Sequence, residues 1–195
     1  MLGFGPISSA PIGAIPEIKF PADSPELLIQ VSYVEIGSKI SEGEIISACD
    51  LPWKIIARLL KDGDEYVRLL ANSPRKLEEL IAAAYAKDGF DVVLTPRSAD
   101  GGKDIVATKK GHFELRIIDQ VKAYSPGTLV THDDVRAMIG VLTLDQGANK
   151  GIITTTSRFQ PQVKTSPEFV RLMPTRLQLR ERSDLIELFA SFGIV

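Results

Sequence analysis

Two neighbouring segments predict a β-hairpin, and this hairpin constrains the fold more than any other feature of the chain. Residues 113–122 read FELRIIDQVK, which is rich in residues that suit a half-buried strand. Residues 104–108 read DIVAT, a second strand-like run, and residues 109–111 (KKG) between them suit a turn. Antiparallel pairing of the two runs places the beginning of the first strand beside the end of the second.

Polar side chains gather at that end of the hairpin. Successive side chains on a strand point to opposite faces, so Gln120 and Lys122 share one face while Asp119 and Val121 share the other. The pairing brings Asp104 near Gln120 and Lys122. A carboxylate, an amide and a lysine in this arrangement are the minimal set for metal-dependent phosphodiester cleavage.

Each of the three residues has a part in that chemistry. Magnesium takes oxygen ligands, keeps several waters and needs only one or two carboxylates from a protein. Asp104 would be the main ligand, and the side-chain oxygen of Gln120 a second, neutral one. Lys122 would orient or help deprotonate the attacking water and offset charge on the phosphate. Taken alone, the same three residues fit a surface strand with a solvated lysine. The neighbouring segments are therefore needed to choose between this interpretation and a catalytic site.

The surrounding segments predict further helices and strands. Ser73 and Pro74 suit the N-cap and first position of a helix that ends at Gly89, and Thr131 caps a second helix. Apolar residues recur at helical spacing in both: Leu77, Leu80, Ile81, Ala84 and Tyr85, then Val135, Met138, Ile139 and Leu142. Further strands are predicted at residues 27–36, 90–95, 151–156 and 176–180, and further helical segments at 52–71 and 184–192.

Four runs occur in an order that resembles the Mrr-type restriction endonuclease domain of the PD-(D/E)xK nuclease superfamily. They read SPRKLEELIAAAYAKDGFDVVLTPRSADGGKDIVATKKG, IIDQVKAY, VRAMIGV and ANKGIITTTSRF, and the resemblance covers roughly residues 73–190. It implies an α/β fold with a restriction-endonuclease-like core, in which helices flank a central mixed sheet. It also implies DNA cleavage with Mg²⁺, for which Mn²⁺ can substitute, in a type IV-like restriction or defence role.

The resemblance assigns a catalytic set of four residues. Asp104 matches the metal-binding aspartate, Gln120 the position that is Glu or Gln in the family, and Lys122 the catalytic lysine. Glu78 matches the acidic residue of the first core helix, which helps to hold the metal or its water shell. An equally good interpretation is that Glu78 only adds a favourable charge to the first turn of its helix. Ala123 stands where the family often has Arg, which removes a cation beside the lysine.

Candidates for contact with DNA come from the same region. Thr155 and Ser157 resemble the Thr-rich strand end of the family, which shapes the site or contacts the phosphate backbone. Lys103 and Arg158 belong to a local excess of positive charge: residues 97–164 hold ten Lys/Arg against seven Asp/Glu, although the whole chain has a net charge of −2. Because scattered charges of this kind usually form a solvated face, the excess supports a phosphate-facing surface only modestly.

The chain length and composition limit the number of domains and the cellular compartment. A chain of 195 residues can bury one core with a small extra element. We expect a loose arm at residues 1–25, a small α/β extension at 26–72 that packs on the core, and the nuclease domain at 73–195. Dimerisation or a protein partner are alternative roles for the extension. A lone Cys49, the lack of a basic, apolar leader and the absence of a long apolar run indicate a cytoplasmic protein that spans no membrane.

The sequence thus predicts a Mg²⁺-dependent DNA endonuclease of the restriction type, a hydrolase whose preference for modified DNA is left open. Cleavage of both strands usually needs two active sites, so a homodimer is consistent with this activity. One alternative is a DNA-binding or interaction module that keeps the fold without turnover, as the neutral Gln120, Ala123 and the isoelectric point of 5.8 would allow. Another is a superfamily nuclease that acts on branched DNA or on RNA.

Overall fold

The computed structural model describes residues 36–40, 43–46, 51–96 and 102–192. Within them the strands are β1 (Ile36–Ile40), β2 (Gly43–Ile46), β3 (Asp91–Leu94), β4 (Ile105–Lys109), β5 (Leu115–Lys122), β6 (Leu129–Val130), β7 (Lys150–Thr155), β8 (Arg158–Phe159) and β9 (Leu177–Arg180). The helices are α1 (Trp53–Asp62), α2 (Glu65–Asn72), α3 (Pro74–Lys87), α4 (His132–Leu144), α5 (Pro161–Thr165), α6 (Pro167–Val170) and α7 (Arg182–Ser191). The predicted arm at 1–25 and all but the last residue of the strand predicted at 27–36 lie outside the described residues.

The seven main strands form one mixed sheet in the order β1-β2-β3-β4-β5-β7-β9. Strands β1 to β5 pair antiparallel, whereas β5, β7 and β9 run parallel to one another. A parallel pair needs a crossover, and α4 lies between β5 and β7 in the chain as such a connection requires. Helices flank the sheet, so the predicted α/β class with a central mixed sheet between helices is confirmed.

The predicted hairpin is present as β4 and β5. Its register pairs Ile105 with Asp119 and Lys109 with Leu115. Continuing this register by one residue sets Asp104, which directly precedes β4, opposite Gln120. Residues directly opposite in an antiparallel pair project from the same face. The hairpin therefore does what the sequence predicted: it places the carboxylate beside the amide.

Two apolar clusters lie on opposite faces of β5. Ile117 and Val121 belong to the larger cluster, with residues of α1, α2, α3 and α7. Ile118 alternates with them and belongs to the second cluster, with Val135 and Met138 of α4. Alternation therefore directs Gln120 and Lys122 to the face that α4 covers. In the described part of the chain, no helix combines the length and hydrophobicity that a membrane span needs.

The described part of the N-terminal third is continuous with this core. Strand β2 pairs with β3, and α1 packs against α7. The Trp53 ring lies 5.3 Å from the Phe189 ring and 5.0 Å from the Phe192 ring, between centroids. Arg182 donates to the Leu60 carbonyl at 2.6 Å and pairs with Asp64 at 2.6 Å. The domain boundaries at residues 25 and 72 stay predictions.

A buried polar cluster ties the α3 face of β5 to its neighbours. Asp119 is fully buried, and its Oδ2 accepts hydrogen bonds from the Tyr85 hydroxyl at 2.8 Å and from the Thr154 hydroxyl at 2.9 Å. The Arg180 guanidinium lies 3.4 Å from the same oxygen. Burial raises the pKa of the Asp119 carboxyl to about 6, against the opposing effects of Arg180 and the two hydroxyl donors. Asp119 thus points away from Gln120, as the alternation of the strand predicts.

We expect Tyr85→Phe to lower the free energy of unfolding by about 1–3 kcal/mol, because a buried carboxylate loses one of its donors. The measurement is urea unfolding followed by circular dichroism. Tyr66→Phe is the matched control: the Tyr66 hydroxyl is also buried but has no hydrogen-bond partner among the described residues, so its removal should cost little. Equal unfolding midpoints for the two variants would contradict this description of the cluster.

Candidate functional site

The backbone at the start of β4 fixes Asp104 against β5. Its Oδ2 accepts a hydrogen bond from the Val121 backbone N–H at 2.6 Å, and its own N–H donates to the Asp119 carbonyl at 3.2 Å. Gly102, two residues earlier, has a φ of +80°, a conformation that glycine adopts without strain. A Cβ at Gly102 would lie 3.2 Å from Val141 of α4, so the close approach of the loop also favours glycine. Gly102 thus serves the backbone conformation that leads into Asp104, and Gly101 lies outside the described residues.

Gln120 presents an oxygen that suits a cation. Its side chain is only 9% exposed, and Oε1 has no hydrogen-bond partner among the described residues. A buried carbonyl oxygen without a donor costs free energy, about 1–3 kcal/mol, unless something else coordinates it. Asp104 occupies the facing position on the neighbouring strand, so the register sets a carboxylate and an amide side chain on one face at the end of the hairpin. That pair fits an oxygen-seeking divalent cation.

The carboxylate content of the site is low. Over residues 36–40, 43–46, 51–96 and 102–192, no three His, Cys, Asp or Glu side chains come together in a way that could hold a metal. The candidate ligands at the end of the hairpin are one carboxylate and one amide. Magnesium tolerates such a pair because it keeps several of its waters and needs only one or two carboxylates from the protein, whereas calcium takes six to eight oxygen ligands and structural zinc takes four Cys, His or carboxylate ligands.

Lys122 lies on the same face as Gln120 and meets the N-terminal turn of α4. Its Nζ is 3.5 Å from Oδ1 of Asp134, and the two side chains are 23% and 18% exposed. Asp134 also completes a capping box with Thr131, the predicted N-cap. Although partial burial acts to raise it, the pKa of Asp134 is lowered by the hydrogen bonds from Thr131 and by the Lys122 ammonium.

Sequence reasoning found the cap but missed Asp134. A Thr followed three residues later by an acidic residue is a local capping-box signal, which could have identified Asp134 as part of the helix start. Its contact with Lys122 joins residues twelve positions apart in different elements. No local pattern indicates that contact.

Glu78 lies on α3, in the layer on the opposite face of the sheet from α4. Its Oε2 pairs with Arg75 at 3.0 Å. Arg75 also donates to the Thr95 carbonyl at 2.8 Å, and the Thr95 N–H donates to the Asp104 carbonyl at 3.0 Å. The structure thus connects Glu78 to Asp104 through two intermediates and gives its carboxylate a structural task. The metal-binding role of Glu78 stays a prediction.

The four candidate DNA contacts differ in exposure. Thr155 is buried and its hydroxyl donates to the Lys122 carbonyl at 2.8 Å; Ser157 is buried and its hydroxyl donates to the Thr128 carbonyl. Both hydroxyls therefore support the backbone around the site. Lys103 is half-buried and pairs with Asp145 at 2.6 Å, whereas Arg158 is exposed. Contact of these residues with DNA stays a prediction.

Known proteins resemble both the sequence and the fold. The family model of the Mrr catalytic domain, a restriction endonuclease, matches residues 69–189. The chain is 30% identical over 162 residues to the uncharacterized protein y4cE of Sinorhizobium fredii (strain NBRC 101917 / NGR234); the match covers 75% of this chain and 40% of that protein.

Two solved structures are similar to this fold. The DNA modification-dependent restriction endonuclease AspBHI matches at a TM-score of 0.53 and 18% identity, over 83% of this chain and 40% of AspBHI. The restriction endonuclease MspJI, solved in complex with an oligonucleotide, matches at a TM-score of 0.43 and 18% identity, over 72% of this chain and 32% of MspJI. The chain thus spans less than half the length of these proteins. The match of the family model to most of the chain, on a fold with the expected mixed sheet, shows that it belongs to the Mrr-type restriction endonuclease family.

Proposed function

We propose that this chain is a metal-dependent endonuclease that hydrolyses phosphodiester bonds of DNA. The observation that carries the proposal is the pairing of Asp104 with Gln120 across β4 and β5, with Lys122 on the same face two residues further on. In a member of a restriction endonuclease family, this group of side chains has a direct chemical use.

Asp104 and Oε1 of Gln120 would hold the metal ion, with waters completing its shell. Mg²⁺ is the proposed ion and Mn²⁺ a substitute, since both accept oxygen ligands. When bound, such an ion supplies positive charge against the negative charge that develops on the scissile phosphate. Oε2 of Glu78 is paired with Arg75 at 3.0 Å. We therefore propose that Glu78 contributes mainly by anchoring Arg75.

We propose that Lys122 orients the attacking water. Its ammonium donates hydrogen bonds and carries a positive charge, so it can orient a water and offset the charge on phosphate oxygens. Its strand is held at this point by Thr155, which donates to the Lys122 carbonyl. Placement of a charged donor with this precision matters, because reaction rates depend steeply on the geometry of the reacting groups.

DNA is the proposed substrate and partner. AspBHI, which shares the fold, acts in a manner that depends on DNA modification, so modified DNA is the first substrate to test. Two active sites, one for each strand, would be supplied by a homodimer. Lys103 and Arg158 are the proposed backbone contacts with side chains at or near the surface.

A DNA-binding or interaction module without turnover is the rival function. The observation that favours it is the neutral Gln120 in place of a second carboxylate, which leaves the site with a single negative ligand. Nuclease action on branched DNA or on RNA is a further alternative, which the choice of substrates tests.

Lys122→Ala and Asp104→Asn are expected to reduce cleavage on the order of 10²–10⁴-fold, because each removes a group that acts on the water or the metal. The measurement is nicking of supercoiled plasmid in Mg²⁺ or in EDTA. Lys54→Ala, a change of an exposed lysine on α1, should cut at the rate of the unaltered protein.

Methylated and unmethylated plasmid, a branched duplex and RNA form the substrate arms of the same assay. Preference for methylated plasmid would support action on modified DNA. Cutting that persists in EDTA or in Lys122→Ala would contradict the proposed site. A folded protein that binds DNA and cuts none of these substrates would favour the rival module.

Gln120→Glu should increase the stabilisation that Mg²⁺ gives. Without metal, a second carboxylate would face Asp104 in a buried position and lower the melting temperature. A bound ion offsets that repulsion, and binding to the folded state alone raises stability. Thermal unfolding with and without Mg²⁺ measures the effect. Gln162→Glu on the exposed side of α5 is the control; equal Mg²⁺-induced shifts in both variants would argue against a metal at this pair.

A further inference from the structure

We infer that Asp134 is a positioning residue of the proposed nuclease, which holds the Lys122 ammonium at the N-terminal turn of α4. The inference rests on the proposed function and adds a residue to it. Asp134 would act through Lys122 and need not touch DNA or metal itself.

The two oxygens of Asp134 have different partners. Oδ2 accepts hydrogen bonds from the Thr131 N–H and the Thr131 hydroxyl, both at 2.8 Å. Oδ1 lies 3.5 Å from the Nζ of Lys122. The cap thus fixes the orientation of the carboxylate, and the second oxygen receives the ammonium. A carboxylate held on one side by a helix cap is a rigid partner for a flexible side chain.

Tyr124 lies close to the same carboxylate. Burial and the nearby Asp134 carboxylate raise the pKa of the Tyr124 hydroxyl, and Tyr124 follows Lys122 by two residues on the chain. The Tyr124 carbonyl accepts a hydrogen bond from the Thr156 hydroxyl at 2.8 Å. The contact with Lys122 thus connects the end of β5 to the beginning of α4 in a segment whose backbone is itself held.

A restraint of this kind is needed because of the chemistry of lysine. Its ammonium sits on four rotatable bonds, and fixing such a side chain costs about 1.5–2 kcal/mol of conformational free energy. Helix α4 is itself fixed to the sheet, since Val135 and Met138 are fully buried in the cluster that includes Ile118. The ion pair therefore restrains the Lys122 ammonium, because its partner carboxylate lies on a helix that is packed against the sheet.

The neighbouring Asp133 offers a natural contrast. Its side chain is 91% exposed and pairs with Arg136 on the surface of the same helix. Both aspartates lie in the first turn of α4, where a negative charge interacts favourably with the helix dipole, but only Asp134 also forms the capping box. A loss of activity that follows Asp134 and not Asp133 would therefore not come from the charge in the first turn, and Asp134→Asn keeps an oxygen that can accept from Thr131, so the loss would report on Lys122.

The first test compares single-turnover cleavage by Asp134→Asn and Asp133→Asn, alone and combined with Lys122→Ala. Asn keeps a carbonyl oxygen for Thr131 and loses the charge. We expect Asp134→Asn to slow the chemical step about 10–10²-fold, as a displaced reacting group does, with DNA affinity unchanged. In the Lys122→Ala background it should cause no further loss, since residues that act as a unit are not additive.

Three cleavage outcomes would overturn the inference. In the first, Asp134→Asn cuts at the rate of the unaltered protein. In the second, Asp133→Asn lowers the cleavage rate as much as Asp134→Asn does. In the third, Asp134→Asn lowers the cleavage rate by the same factor in the Lys122→Ala background as it does alone. Circular dichroism and thermal unfolding of each variant separate a loss of rate from a loss of fold.

The second test does not depend on cleavage. Proton–nitrogen NMR of the lysine side chains should give an ammonium signal that disappears in Lys122→Ala, because an ion pair slows exchange of its protons with water. The signal should weaken or vanish in Asp134→Asn and persist in Asp133→Asn. Absence of the signal from the unaltered protein, or its survival in Asp134→Asn, would overturn the ion pair.

The two tests distinguish failure of the inference from failure of the proposed function. If the NMR contrast holds while the unaltered protein cuts no substrate with Mg²⁺, the proposed nuclease is wrong and Asp134 is a structural partner only. If cleavage depends on Lys122 and does not change in Asp134→Asn, the proposed nuclease function is supported and the positioning role of Asp134 is overturned.

Discussion

The antiparallel register between β4 and β5 is the constraint on which the rest of the site depends. With Ile105 opposite Asp119, the residue before β4 stands opposite Gln120, and alternation assigns each side chain of β5 to a face. A slip by one residue would exchange the faces: Asp119 would join the ligand side, and Gln120 would enter the apolar cluster under α3. The register is protected because β5 lies inside the sheet, paired on both sides and buried by apolar residues on both faces.

The two faces of β5 have different polar chemistry, and each ties the strand to a helix. On the α3 face, the fully buried Asp119 contacts Tyr85 and Arg180, and this cluster fixes the strand on the side away from Gln120. On the α4 face, Lys122 pairs with Asp134 in a half-buried contact. The first contact is largely buried and suits a structural role, whereas the second is partly exposed to solvent, as its proposed role in catalysis requires. The two faces thus differ as they should if one serves stability and the other serves the proposed chemistry.

Much of this could be predicted from the sequence because it follows from local patterns. The hairpin, the helix after Ser73 and the cap at Thr131 all depend on periodicity and on residue preferences within a few positions, and they are present. The opposite orientation of Asp119 follows from strand alternation alone. The match to the Mrr catalytic family over residues 69–189 agrees with the order of the motifs.

What the sequence could not supply are the contacts between distant side chains. Glu78 pairs with Arg75 one turn earlier on the same helix, which is a local contact, but the further bond from Arg75 to the Thr95 carbonyl depends on the fold. Thr155 and Ser157 are expected from the sequence to shape the site or to contact the phosphate backbone, and in the structure both are buried, with their hydroxyls bonded to the Lys122 and Thr128 carbonyls. The sequence around Asp134 indicates a helix cap. Its contact with Lys122 depends on the packing of α4 against β5. The proposed function of this site therefore depends on tertiary contacts that periodicity does not encode.

The central claim is that Asp104 and Gln120 form one metal site at the end of the hairpin. The most direct measurement is anomalous X-ray diffraction from crystals of the protein grown with Mn²⁺, an ion whose anomalous signal identifies its position. The account predicts a peak in contact with a carboxylate oxygen of Asp104 and with Oε1 of Gln120, and no peak there in Gln120→Leu crystals. A bound ion elsewhere, or none at this pair in crystals that contain Mn²⁺, would contradict it.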